Sequence, residues 1–259
     1  MEVFQLIAGE GPLVAAAIHN GHIVRPELAS LFALSEMDRL REEDPYTDFL
    51  VDWAPTRLVG ARSRFEVDLN RPRDQAIYLT PEQAWGLTVW HEGLAADVVS
   101  RSLANYDLFY ATAETVIRSL IETHGKVIVL DVHTYNHRRE GVDGPPAEAA
   151  THPEVNVGTG TMDRTRWAPV VDGFISELSS YNFLGRRLDV RENVKFQGGD
   201  FCRWIHQTFP ASVCALAVEF KKFFMDEWTG EVDRLQLTAL QAALQSTAPR
   251  LLHILADLP

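Results

Sequence analysis

The centre of the chain carries the segment Val127-Ile-Val-Leu-Asp131-Val-His133-Thr134, in which apolar, mostly β-branched residues lead into polar ones. A run of this kind predicts a strand buried in the middle of a sheet, with Asp131 and His133 near its end. In α/β proteins, ligands bind beyond the carboxyl ends of such strands. The segment therefore predicts a functional site as well as a core strand.

A second buried strand is predicted at Leu13–Ile18, and His19-Asn20-Gly21-His22 follows it directly. Two strand ends of this kind can bring imidazoles together although they are far apart in sequence. Imidazoles and a carboxylate are common ligands of zinc, so the two strand ends suggest a metal site. For His19 or His133 alone, the alternative interpretation is a hydrogen-bonded structural residue.

Further strands are predicted at Phe65–Leu69 and Cys214–Phe220, with helical patterns between the strands. Strands that alternate with helices predict an α/β fold, in which a mixed or mainly parallel sheet is covered on both faces. The glycine- and proline-rich segment Gly141–Pro153 predicts a loop that would roof the site. The predicted helical segments cover residues 29–53, 85–123, 168–179 and 235–255.

The composition favours a single globular domain that spans residues 1–259, because 46% of the residues are hydrophobic and 23% are charged. A formal net charge of −12 argues against nucleic acid or an anionic membrane as a partner. No signal peptide and no membrane span is expected. Cys202 and Cys214 are too few for a disulfide framework, which favours a cytoplasmic protein. The oligomeric state stays open.

The residues themselves leave the third metal ligand open between Asp44 and His22. Asp44 lies in an acidic segment, where it would share a helical face with Asp48 if a helix continued through the intervening proline. The alternative for this segment is a solvated helix start. His22 stands close enough to His19 for the two histidines to bind one metal ion from the same loop. It can equally contact a metal-binding side chain or the substrate.

The segment Asp68-Leu-Asn70-Arg71-Pro72 places an asparagine and an arginine before a proline that restricts the backbone. Such a pair is suited to hold a substrate carboxylate through charge-assisted hydrogen bonds. The alternative for Arg71 is a structural salt bridge to Asp68 or Asp74. The turn at Gly198-Gly199 can bring the backbone close to a ligand.

Glu219 is a carboxylate inside an otherwise apolar strand. Burial raises the pKa of a carboxyl group, so Glu219 is suited to accept a proton from a water molecule and pass it to a leaving amine. The alternative is that Glu219 is a buried partner of Lys221 or of an arginine.

Seven segments, taken in order, resemble motifs of the N-formylglutamate amidohydrolase family. Each motif is short, but their order and rough spacing match from about residue 13 to about residue 225. The segments are Ile18-His19-Asn20-Gly21, Glu43-Asp44, Asp68-Leu69-Asn70-Arg71-Pro72, Asp131-Val132-His133-Thr134, Asn156-Val157-Gly158-Thr159, Phe196-Gln197-Gly198-Gly199 and Val218-Glu219.

This resemblance implies a zinc-dependent hydrolase with a three-layer α/β sandwich, related in fold to the zinc carboxypeptidases. It implies one Zn²⁺ ion per chain, and it favours Asp44 over His22 as the third ligand. The implied metal ligands are His19, Asp44 and His133. The implied catalytic residues are Glu219, as general base, and Arg64, which would help polarise the scissile carbonyl. The implied substrate-binding residues are Asn70, Arg71, Gly198 and Gly199.

The implied reaction is cleavage of the amide C–N bond in a small carboxylate-bearing substrate, such as an N-formyl or N-acyl amino acid. Four departures from the family pattern leave the substrate open. Asn20 replaces a small residue, Thr134 replaces a serine, His22 stands where the family need not have a histidine, and the segment Phe220–Trp228 differs. One alternative is a metallocarboxypeptidase that acts on a peptide or an amino-acid conjugate. Another is a non-catalytic ligand-binding protein of the same fold.

Overall fold

Strands of both directions form the centre of the fold in the computed structural model, which describes residues 3–258. Within this range a seven-stranded sheet has the order β1-β3-β2-β4-β7-β5-β6. Four neighbouring pairs are parallel, and the pairs β1–β3 and β5–β7 are antiparallel. The prediction of a mixed, mainly parallel sheet is confirmed. The strands are β1 (Phe4–Ile7), β2 (Leu13–Ala17), β3 (Thr56–Gly60), β4 (Val127–Tyr135), β5 (Val155–Gly158), β6 (Val190–Glu192) and β7 (Val213–Lys221).

Helices cover both faces of this sheet, so the predicted three-layer sandwich is confirmed. Residues of α3, α5, α7 and α8 pack against one face, and residues of α4 and α6 pack against the other. The helices are α1 (Pro26–Ala29), α2 (Glu36–Glu42), α3 (Thr47–Val51), α4 (Ala96–His124), α5 (Ala168–Ser180), α6 (Asp200–Thr208), α7 (Arg234–Ser246) and α8 (Ala248–Asp257).

The central strands are continuously apolar because both of their faces are buried. In β2, Leu13 and Ala15 join the core on one face, whereas Val14 and Ala16 join the core on the other. This alternation follows from the two-residue repeat of a strand. A strand covered on both sides has no polar face, which is why the sequence reads as an uninterrupted apolar run.

The predicted strand at Phe65–Leu69 is wrong, because this segment forms turns. The amide of Glu66 donates to the carbonyl of Ser63 at 2.9 Å. Phe65 and Leu69 are buried as a strand would require, but the carboxylates of Glu66 and Asp68 are buried too. The alternation of apolar and acidic residues therefore reflects two buried ion pairs, not a half-exposed strand.

Two of the predicted helical segments are interrupted. In residues 29–53, α2 ends at Glu42, and Tyr46 adopts a left-handed conformation with φ of 68° before α3 begins. No helix continues between Asp44 and Asp48, so the prediction that they share a helical face is wrong. The C-terminal segment divides at Thr247 into α7 and α8. The long helix in residues 85–123 begins only at Ala96, while α5 matches its prediction closely.

The topology brings three functional candidates to one edge of the sheet. Strands β2, β4 and β7 are adjacent and parallel, so their carboxyl ends lie together. His19 follows β2, and His133 pairs in register with Glu219 of β7. Within residues 3–258, no helix has the length and apolar character needed to cross a membrane.

Candidate active site

His19, Asp44 and His133 form a buried cluster at this edge. One ligand atom from each side chain lies within 4.8 Å of the others. Oδ2 of Asp44 is 2.9 Å from Nδ1 of His133 and 3.5 Å from Nδ1 of His19. Both imidazoles thus direct the same ring nitrogen at one carboxylate oxygen.

Asp44 reaches the cluster from the loop between α2 and α3. Its amide donates to the carbonyl of His19 at 3.0 Å. The hydroxyl of Thr134 donates to Oδ1 of Asp44 at 3.1 Å. The threonine that departs from the family's serine therefore keeps the hydroxyl that orients this carboxylate.

Asn20, another departure from the family pattern, stabilises the helix that follows Asp44. Its side-chain carbonyl accepts the amide of Asp48 at 3.1 Å, in the first turn of α3. The first amides of a helix lack partners within the helix, so this contact satisfies one of them. Asn20 consequently ties the end of β2 to the start of α3.

Carboxylates occupy the far side of both imidazoles. Oδ1 of Asp68 is 2.7 Å from Nε2 of His19, and Oδ1 of Asp131 is 3.0 Å from Nε2 of His133. A carboxylate at Nε2 favours the tautomer that is protonated there and leaves the Nδ1 lone pair free for a metal. Carboxylates of this kind usually orient histidines that bind zinc.

The electrostatics of the cluster favour a cation between Nδ1 and the carboxylate. Burial opposes ionisation of Asp44, yet hydrogen bonds with His133 and His19 hold its pKa well below the usual range. Burial likewise opposes the charged form of His133, but the carboxylates of Asp131 and Asp44 raise its pKa. Two imidazoles and a carboxylate are a suitable donor set for zinc, so the residues present can hold this ion.

Asp68 connects the cluster to Arg64. Nη2 of Arg64 donates to Oδ2 of Asp68 at 2.8 Å, and the hydroxyl of Tyr78 donates to the same oxygen. Nη1 of Arg64 donates to the carbonyl of Glu42 at 3.3 Å, and the guanidinium lies 4.9 Å from the ring centroid of Trp85. Arg64 therefore lies beside the cluster, with much of its donor capacity already used by the protein.

A cavity of about 440 Å³ opens above the cluster. In a chain with a net charge of −12 this lining has more cations than carboxylates, which favours an anionic ligand. Its ionisable and aromatic lining residues are Arg64, Arg71, Arg139, Lys195, Lys222, Glu42, Asp44, Glu219, Trp85, Tyr135 and Phe196, together with His19 and His133.

The predicted carboxylate-binding residues line this cavity. Oδ1 of Asn70 accepts the amide of Phe201, in the first turn of α6, at 3.0 Å. A side chain at Gly199 would collide with the amide of Asn70. Gly198 has φ of 111°, a conformation that favours glycine. The glycine pair thus allows the close packing that orients Asn70 towards the cavity.

Arg71 makes neither of the salt bridges considered for it, to Asp68 or to Asp74, in the described part of the chain. Its Nη2 donates to the carbonyl of Gln83 at 3.4 Å, and its guanidinium lies 5.6 Å from the ring centroid of Tyr78. Its charge therefore remains available to an anion in the cavity.

Glu219 lines the cavity and is only partly buried. Burial raises the pKa of Glu219 to about 7. Lys221, the partner considered for it, instead donates to the carbonyl of His152 at 3.0 Å. No hydrogen bond or ion pair within residues 3–258 engages the Glu219 carboxylate, so this group can exchange protons near neutral pH.

His22 lies outside the cluster. Its Nδ1 is 2.5 Å from Oε2 of Glu43, and its Nε2 is 3.2 Å from Oε1 of Glu36. It borders a different cavity, between α3 and β3. The geometry therefore joins Asp44, and not the competing His22, to the two histidines.

The segment Gly141–Pro153 does not line the cavity, so the prediction that it roofs the site is wrong. It packs beside the site, where Nε2 of His152 is 2.7 Å from Nζ of Lys195. Sequence reasoning gave no role to Lys222 or Arg139. Lysine and arginine side chains are ordinarily exposed, so their presence in the sequence does not indicate that they line a cavity.

The fold and the cluster define an α/β protein with a candidate metal centre under a cationic cavity. The chain belongs to the N-formylglutamate amidohydrolase family, whose model matches residues 11–225. This membership supports a hydrolase and confirms the resemblance seen in the sequence. No protein of curated function matches the chain.

Two solved structures that match the chain share its fold, and a metallo-carboxypeptidase matches it only weakly. An N-formylglutamate amidohydrolase of Ralstonia eutropha JMP134 has a TM-score of 0.77 and 19% identity, over 100% of this chain and 99% of its own. A gene product of Agrobacterium tumefaciens has a TM-score of 0.67 and 15% identity, over 97% and 95%. A metallo-carboxypeptidase of Burkholderia cenocepacia has a TM-score of 0.35 and 14% identity, over 92% and 55%.

Proposed function

We propose that the chain is a single-domain, zinc-dependent amidohydrolase that cleaves the C–N bond of a small N-formyl or N-acyl amino acid. One observation carries this proposal: Nδ1 of His19 and Nδ1 of His133 face the same oxygen of Asp44, while carboxylate oxygens of Asp68 and Asp131 lie 2.7 and 3.0 Å from their Nε2 atoms. Family membership supports the amide bond as the target. A cavity of about 440 Å³ favours a small substrate over a long peptide.

His19, Asp44 and His133 would hold one Zn²⁺ ion. In such sites zinc supplies Lewis acidity, which polarises a carbonyl and makes a water molecule more acidic. The positive charge would also lower the pKa of Glu219 from about 7, so that the carboxylate is ionised and ready to act as a base at neutral pH.

Glu219 would take the proton from the attacking water and return it to the leaving nitrogen. Its carboxylate has no competing partner among the described residues, which leaves both oxygens free for this transfer. Asn70 and Arg71 would hold the substrate carboxylate, with Gly198 and Gly199 giving close backbone approach. Arg64, next to Asp68, would add positive charge near the scissile carbonyl.

The first experiment measures the zinc content of the wild type, His133→Ala and His22→Ala. We expect about one zinc ion per chain in the wild type and in His22→Ala, and its loss in His133→Ala. Retention of zinc by His133→Ala would contradict the ligand assignment. A wild type that binds no zinc, even when zinc is supplied, would overturn the mechanism.

The second experiment tests the reaction itself. N-formyl and N-acyl amino acids should be hydrolysed, and the same compounds with the carboxylate converted to an amide should be poor substrates. Glu219→Gln should retain zinc but lose at least about 100-fold in kcat, the usual contribution of a general base. Glu192→Gln, which changes a carboxylate outside the cavity, is the matched control. Full activity of Glu219→Gln would refute its role.

A further inference from the structure

Lys222 is a buried lysine that no part of the proposed reaction uses. It lies one residue beyond β7, and 1% of its surface is exposed. Its Nζ donates to the carbonyl of Arg41 at 2.6 Å and to the carbonyl of Glu43 at 2.7 Å. A lysine is almost never buried in this way without specific partners.

These two acceptors belong to the end of α2. The last carbonyls of a helix have no partners within the helix, and cations are favoured beside them. Lys222 therefore caps α2 from another part of the chain. The carbonyl between its two acceptors, that of Glu42, accepts from Nη1 of Arg64 at 3.3 Å.

The peptide between Glu43 and Asp44 is held from both sides. Its carbonyl accepts from Nζ of Lys222 at 2.7 Å, and its amide donates to the carbonyl of His19 at 3.0 Å. The first contact comes from the end of β7, and the second comes from the end of β2. Because a peptide unit is planar, fixing both of its polar atoms fixes the plane of the peptide and the position of the Asp44 Cα atom, from which the side chain extends.

Asp44 needs such support more than the other two candidate ligands. His133 lies within β4, and His19 follows β2 by two residues. Asp44 comes from a loop, between the end of α2 and the left-handed turn at Tyr46.

The surrounding segment reinforces this support. The guanidinium of Arg41 lies 3.8 Å from the ring centroid of Trp228, and Nη2 of Arg41 is 3.3 Å from Oε1 of Glu227. The segment Phe220–Trp228, which departs from the family pattern, thus packs against α2, the helix that precedes Asp44.

We propose that Lys222 is a positioning residue that fixes the Glu43–Asp44 peptide and thereby sets the affinity of the site for zinc. The inference rests on the proposed function, because it requires Asp44 to be a zinc ligand. The inference predicts a change in zinc affinity that is opposite in sign to the change expected from charge alone. Charge repulsion alone would make zinc bind more tightly when a nearby lysine is neutralised, whereas loss of positioning makes zinc bind more weakly.

The test measures the zinc Kd of the wild type, Lys222→Met and Lys222→Gln by competition with a chelator. We expect Lys222→Met to weaken zinc binding by about 10- to 100-fold, as changes to residues that orient metal ligands usually do. Lys222→Gln should lose less, because its amide can still donate to a carbonyl. Lys221→Met is the matched control and should bind zinc as the wild type does.

A double-mutant cycle separates positioning from general destabilisation. In an Asp44→Asn background, Lys222→Met should change the zinc Kd by less than about threefold, because the ligand that it positions is already impaired. The melting temperature of the metal-free protein should fall by a similar amount in both backgrounds. A full Lys222→Met effect in the Asp44→Asn background would show that Lys222 acts by another route.

The outcomes distinguish this inference from the proposed function. If the wild type binds zinc and both Lys222 variants bind it within twofold of the wild type, or more tightly, the inference fails and the zinc site stands. If the wild type itself binds no zinc, the proposed function fails first.

Discussion

Replacement of Asp68 by asparagine should weaken both the fold and the metal site. Oδ1 of Asp68 contacts Nε2 of His19 and the amide of Asn70, both at 2.7 Å. Oδ2 contacts Nη2 of Arg64 at 2.8 Å and the hydroxyl of Tyr78. Since both carboxylate oxygens accept from donors, an asparagine must turn its NH₂ group towards one of these donor pairs.

The two expected losses have different sizes. Removing one partner of a buried ion pair leaves Arg64 without its charge partner and costs about 3–5 kcal/mol of unfolding free energy. Loss of the carboxylate that orients His19 should weaken zinc binding by about 10- to 100-fold. That change in Kd corresponds to about 1.4–2.8 kcal/mol of binding free energy.

Urea unfolding of the metal-free protein measures the first loss, and chelator competition measures the second. Glu66→Gln is the control, because Glu66 is also a buried carboxylate, 2.9 Å from Nε of Arg25, but it has no contact with the cluster. It should destabilise the fold and leave the zinc Kd unchanged. A zinc Kd within twofold of the wild type in Asp68→Asn would refute the assigned role of this carboxylate.

Three other outcomes are expected. Burial lowers the pKa of His206 from 6.5 to about 4 in the folded protein. As the pH falls from 6.5 to 4, the unfolded chain binds a proton at this histidine and the folded protein does not. About 3 kcal/mol of unfolding free energy should therefore be lost over this range. Urea unfolding at a series of pH values should show a smaller loss in His206→Gln. Gly199→Ala should displace Asn70 and raise KM at least about tenfold, which corresponds to a loss of about 1.4 kcal/mol of binding free energy. Gly93→Ala is the control, because Gly93 has open space around it, and it should leave KM unchanged. An unchanged KM in Gly199→Ala would contradict the close packing. Zinc at 100 times its Kd should stabilise the protein by about 2.7 kcal/mol in thermal unfolding, and a chelator should reverse this.

The pairing of His19 with His133 shows how much the sequence can predict. The largely apolar runs at 13–18 and 127–132 indicate strands that are buried on both faces, and such strands are usually parallel. Parallel neighbours end at the same edge, so the histidines that follow or end them meet. The same reasoning places Glu219 beside His133, its partner in register.

Short edge elements were harder to predict. The strands β1, β3, β5 and β6 contain only three to five residues each. Runs of this length carry too little periodicity to distinguish a strand from a loop. They are strands because they form hydrogen bonds with neighbouring strands of the sheet, a condition that no local pattern expresses.

The sequence by itself determined the three central strands, and with them the edge at which His19, His133 and Glu219 meet. Only the tertiary structure decided which residues complete the cluster. Asp44 joins it while His22 turns to Glu43, and Lys222 holds the peptide that precedes Asp44. The physical reason is the separation along the sequence of the residues that come into contact. A buried strand is encoded in consecutive residues, whereas His133 is 89 residues from Asp44, and Lys222 is 179 residues from Glu43.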